Sequence, residues 1–153
     1  MAIAAGVVVI AVVVAVLLLE HGKSKPIVTP ISTALDPYAA NLQITNLAMS
    51  EASNLAGGKM TYLDGHIMNS GGSTVTGITV QVLFRDAAHE VAQNETQALK
   101  IISMRQPYID TVPVSAAPLK PGDGMDFRLI FDTVKDDWDG AFPEIRIVHV
   151  DRK

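Results

Sequence analysis

Apolar and polar positions alternate along Ile78–Arg85, interrupted only by Leu83. Ile78, Val80, Val82 and Phe84 share one face, and Thr79, Gln81 and Arg85 the other. A period of two with β-branched enrichment predicts a half-buried strand. The pattern returns over Met125–Asp132, with Met125, Phe127, Leu129 and Phe131 inward. Met60–Met68 predicts another strand, joined to the Ile78 strand through Asn69-Ser70-Gly71-Gly72-Ser73, where Asn and Gly favour a turn. Leu42–Met49 alternates through Leu42 and Ile44 but weakens at Asn46. Ile145–Val150 is a last strand whose inward phase the pattern leaves open. Residues 86–105 fit either of two patterns. One is a helix capped by Asp86, with Ala88, Val91, Ala92, Leu99 and Ile102 at helical spacing; the other is a turn followed by a strand over Glu90–Leu99. The strand is preferred, because its neighbours are strands with turn signals about every ten residues.

The alternation is absent from Met1–Leu19, which holds seven Val, five Ala, three Leu and two Ile and no polar or charged side chain. A helix of that length spans about 28 Å, close to the roughly 30 Å hydrocarbon core of a bilayer. No Lys or Arg precedes the run and Glu20-His21-Gly22-Lys23 follows it directly, so an uncleaved single-pass anchor fits better than a cleaved signal peptide. Lys23 and Lys25 on the C-terminal flank point, by the positive-inside rule, to a cytoplasmic domain. Pro26, Pro30 and Pro37 then punctuate residues 20–41, which read as an extended linker. The expected organisation is an anchor helix over 1–19, a linker over 20–41 and an antiparallel β-sandwich over 42–153.

Gly65-His66-Ile67-Met68-Asn69-Ser70-Gly71, the strand ending in Phe84-Arg85-Asp86, and Pro118-Leu119-Lys120-Pro121-Gly122 ahead of Phe127-Arg128-Leu129 form an ordered set. The set resembles the bacterial FxLYD-type and related immunoglobulin-like domains of unknown function. The resemblance covers roughly residues 42–150. It implies an immunoglobulin-like fold and, because such domains are typically membrane- or lipid-anchored, an extracytoplasmic location. Ala87-Ala88-His89 departs from the pattern, which commonly has Gly in that turn.

Composition narrows the chemistry. The net charge of −4 and the scattered Lys and Arg speak against nucleic-acid binding. With no Cys there is no thiol nucleophile, disulfide or thiolate metal site. No G-x-S-x-G elbow or phosphate-binding loop occurs, and Gly122-Asp123-Gly124 is only a fragment of a dinucleotide fingerprint. His66 and His149 lie on expected strands and can meet in space, although no His pair has metal-binding spacing. Asp136, Asp137 and Asp139 match part of a calcium loop, but Lys135 and Arg146 occupy its first and twelfth positions. A solvated acidic loop with Trp138 closing the core is the simpler expectation.

No cofactor is expected. The sequence is read as a non-enzymatic module that meets a protein partner through its loops, at 70–76, 86–89, 104–118 or 135–143. Arg105, Tyr108 and Trp138 are the candidate contact residues, since Arg and aromatics are favoured at interfaces. The alternatives are a structural subunit of a larger membrane complex and a metal-dependent hydrolase using Asp136, Asp137, Asp139 and His149.

Overall fold

The computed structural model describes residues 30–31, 34–53 and 58–153. Eight strands follow a short 3-10 helix, Pro37–Asn41: β1 Leu42–Ser53, β2 Lys59–Asn69, β3 Val75–Arg85, β4 Val91–Ala98, β5 Lys100–Met104, β6 Asp110–Pro113, β7 Gly124–Phe131 and β8 Glu144–Arg152. They form two antiparallel sheets, one of order β1-β2-β7-β5-β6 and one of order β4-β3-β8. No helix among the described residues is long and apolar enough to cross a membrane. The expected anchor, 1–19, lies outside them.

A single core joins the two sheets. Leu63, Ile67, Phe127, Leu129 and Phe131 come from the first sheet, and Ile78, Val80, Val82, Phe84, Ile147 and Val150 from the second. The apolar faces of both alternating strands therefore keep their expected phase. At one end of the core Phe84 meets Phe131 edge-on at 5.0 Å, and Trp138 meets Phe84 the same way at 5.6 Å. Gly65 lets this core close: a Cβ there would stand 2.5 Å from Phe127 Cζ and 2.9 Å from Leu47 Cδ2.

The two weak alternations are bulged strands. Asn46 takes a left-handed backbone at φ 54, and the β1–β2 register shifts between Thr45 and Ala48. The bulge moves the apolar phase from Leu42 and Ile44 to Leu47 and Met49, all of which pack on the core. In β8 the register shifts opposite Thr79 and Val80, so Ile147 and Val150, three apart, both face inward. Residues 86–105 contain a turn and two strands, with no helix. β4 belongs to the second sheet and β5 to the first, so the chain changes sheets at the buried Leu99.

Residues 34–41, expected as linker, are instead fastened to the β domain. Asp36 caps the 3-10 helix, its carboxylate accepting from Tyr38 N at 2.8 Å and from Val150 N at 2.9 Å. Its own amide donates to Ile147 O along the outer edge of β8. Asp36-Pro37 supplies a capping side chain and a preset φ at the first helical position. Further out, Gln81 donates to Pro30 O at 3.0 Å. Gln81 is buried, although the alternation puts it on the outer face of its sheet.

The β2–β3 turn is organised by Asn69, which has no exposed surface. Its amide donates to Ser73 O at 2.9 Å and to Leu119 O at 3.1 Å. Its oxygen accepts from Tyr38 OH at 3.0 Å and Gly71 N at 3.1 Å.

Candidate functional site

The β5–β6 hairpin ends in a tip, residues 105–109, that packs little of its surface. Tyr108 is 81% exposed, with Met104 at 49% and Ile109 at 37% beside it. The base is closed where Met104 pairs with Asp110 and Ser103 Oγ donates to Asp110 O. Arg105 returns to the sheet and donates through Nη2 to Asp126 Oδ2 at 2.5 Å. The other oxygen of Asp126 accepts from His66 Nδ1 at 2.8 Å. Asp126 lies on β7 and His66 opposite it on β2, so one carboxylate joins β2, β7 and the tip.

Antiparallel pairing explains this cluster. Gly65 opposes Phe127 in the core, so the alternate positions, Asp64 opposite Arg128 and His66 opposite Asp126, face outward as charge-matched cross-strand pairs. Arg128 grips Asp64 with two bonds of 2.6 and 2.7 Å and lies 4.6 Å over the Tyr62 ring. The His66 bond and then the Arg105 bond hold Asp126 below the ordinary carboxylate value. The Asp64 bond raises Arg128 above its usual value.

The 132–143 loop occupies the other end of β7. Trp138 is half-buried on the core, its indole donating to Ala141 O at 3.0 Å. Asp139 accepts from Ala141 N and donates its own amide to Arg85 O. Asp136 lines an open cleft of about 440 Å3 with Glu51, Lys59, Asp132 and Lys135, a wall of mixed charge. Among the described residues, no three His, Asp or Glu side chains stand close enough together to hold a metal ion.

The chain matches the family described as Protein of unknown function (DUF2393) over residues 9–144. It belongs to that family. No curated protein and no solved structure is significantly similar to it. The DUF2393 match starts inside the apolar run and ends at the first residue of β8, so it takes in part of the expected anchor, the linker and most of the β domain.

Within this DUF2393 chain the sequence-derived site residues separate. Arg105 and Tyr108 share the tip. Trp138 lies in the loop at the opposite end of β7, as a core residue. His66 and His149 do not meet, because each faces outward from a different sheet. His149 sits opposite Thr79, with Asp151 at 3.1 Å and Asp36 at 4.0 Å. The acidic loop begins beyond the other end of β8, with Asp139 held at Arg85. The His66–Asp126–Arg105 set escaped sequence reasoning, which read each strand's inward face and left the outward positions unpaired. Those positions were available, but pairing them needs the β2–β7 register.

Proposed function

We propose that this protein is a membrane-anchored, extracytoplasmic module of immunoglobulin-like type, without catalytic activity, that binds a protein partner through the β5–β6 tip. The observation that carries the proposal is the tip itself. A largely exposed tyrosine stands between exposed Met104 and Ile109, on a short loop tied to the sheet by Arg105. Exposed aromatic and apolar side chains beside an arginine are the composition of a binding hot spot. The order β1-β2-β7 in one sheet and β4-β3-β8 in the other, with a change of sheet between β4 and β5, supports the immunoglobulin-like and FxLYD-type likeness. Membrane attachment is supported by the apolar run and by a family match that extends into it.

A reporter active only outside the cytoplasm, fused after Lys153, tests the location. Activity is expected, and a silent but stable fusion overturns it. A photo-crosslinking amino acid at Tyr108 tests the contact. A discrete adduct is expected from position 108 and none from the exposed Thr96 on the other sheet. Equal labelling from both positions, or none from either, overturns the contact.

A further inference from the structure

We infer that Asp126 is the positioning residue of the contact loop: it holds Arg105, and through it the tip, in a geometry aimed by His66 and made possible by Gly124. The inference rests on the tip being the contact surface. Among the described residues, the Arg105–Asp126 bond is the side-chain hydrogen bond that fastens residues 105–109 to the sheet. With its other oxygen held by His66, the carboxylate cannot turn away from Arg105 without breaking a second bond. A charge-assisted pair with both ends directed is the stronger kind of surface contact.

Gly124 supplies the seat. A Cβ at this position would stand 2.5 Å from His66 Nε2 and 3.1 Å from His66 Cε1. Its φ is not in the left-handed region, so no backbone demand accounts for glycine here. The space it leaves is filled by the imidazole, whose other nitrogen reaches Asp126. Gly124, His66, Asp126 and Arg105 thus form a relay from the start of β7 to the tip. The neighbouring charges on the same face, Asp64 and Arg128, are paired with each other and take no part.

The test is the order of the tip backbone, read from nitrogen-15 relaxation of the Gln106, Tyr108 and Ile109 amides in the full chain in detergent. Asp126→Asn is expected to raise the population of the released loop about two- to fivefold, the range an exposed ion pair sustains, and so to lower the order of these amides. Gly124→Ala and His66→Gln are expected to do so by less, and Asp64→Asn not at all. Order in the core of β2 and β3 should not change in any variant that keeps the fold. The charge exchange Arg105→Asp with Asp126→Arg should restore the order of the tip, which a general loss of stability would not allow. Unchanged order in Asp126→Asn, or no recovery in the exchanged pair, overturns the inference. Lower order with undiminished crosslinking from position 108 upholds the clamp and shows instead that the partner does not need the loop ordered.

Discussion

Asn69 and Arg105 both sit beside the start of β7, each in a stretch of turn-forming residues, and they do opposite things. Asn69 donates and accepts four hydrogen bonds with no exposed surface, joining the β2–β3 turn to Tyr38 and to Leu119. Arg105 is more than half exposed and makes one bond, to Asp126. A buried amide with every valence used fixes a turn, because leaving any partner unpaired costs more than the bond itself contributes. An exposed ion pair constrains a loop weakly and leaves its surface available. One region holds the β domain closed, and the other is fit to be touched. Mutations can separate them.

The largest effect is expected at the buried hub. Asn69→Ala removes four bonds and takes the acceptor from Gly71 N, while the Leu119 carbonyl keeps Val75 N and the Ser73 carbonyl keeps Tyr38 OH, so it should cost about 3 kcal/mol in chemical denaturation. A cost below 1 kcal/mol would mean that water replaces the amide and that the hub is not what closes the turn. Asp36→Ala comes next, at about 2 kcal/mol. It removes a helix cap and the carboxylate that satisfies the outward Val150 amide. If residues 34–41 were a loose linker, that substitution would be neutral. Tyr108→Ala, at the other pole of the comparison, should leave stability within about 0.5 kcal/mol of the parent while abolishing partner crosslinking from a probe placed at the neighbouring Ile109. A destabilisation above 1 kcal/mol would mark Tyr108 as structural.

The legible and illegible parts of this fold divide along the same physical line. The Ile78 and Met125 strands could be read with their phase, because each buries an unbroken period-two face. β1 and β8 could not, because a bulge at Asn46 and another at Val148–His149 reverse the phase midway. Asn46 carries a hint, since Asn tolerates left-handed backbone better than most residues. Asn69 was legible as turn chemistry but not as a buried hub, whose partners at Tyr38 and Leu119 lie 31 and 50 residues away. Tyr38 looked like linker because prolines surround it. The tip residues were legible by type, whereas the clamp beneath them depends on strand register.

His89 offers a smaller test, in the opposite direction. It occupies a left-handed conformation at φ 63 in the β3–β4 turn, a backbone region that glycine enters without strain. Asp86 secures the turn by accepting from Ala88 N and Glu90 N, both at 2.9 Å. The turn therefore keeps its form with a residue strained there, and His89→Gly should stabilise the protein by about 0.5–1 kcal/mol. Loss of stability would show that the His89 side chain contributes more than its backbone strain costs.

The smallest effect belongs to the clamp under acid. Asp126 titrates below the ordinary carboxylate value of 3.8, chiefly through His66 and then Arg105. A carboxylate lowered by folding stabilises the folded state fully above its unfolded value, and that contribution is lost as the pH falls through the lowered one. The side chain is 43% exposed, so water screens the pair and the contribution is roughly half a kcal/mol or less. The stability difference between the parent and Asp126→Asn should therefore hold as pH falls to about 5 and shrink towards zero below the ordinary carboxylate value. The tip amides should lose order over the same window, before the core strands loosen. If the tip and the core loosen together, one unfolding event governs both regions, and the contrast between a closed hub and a lightly held loop is wrong.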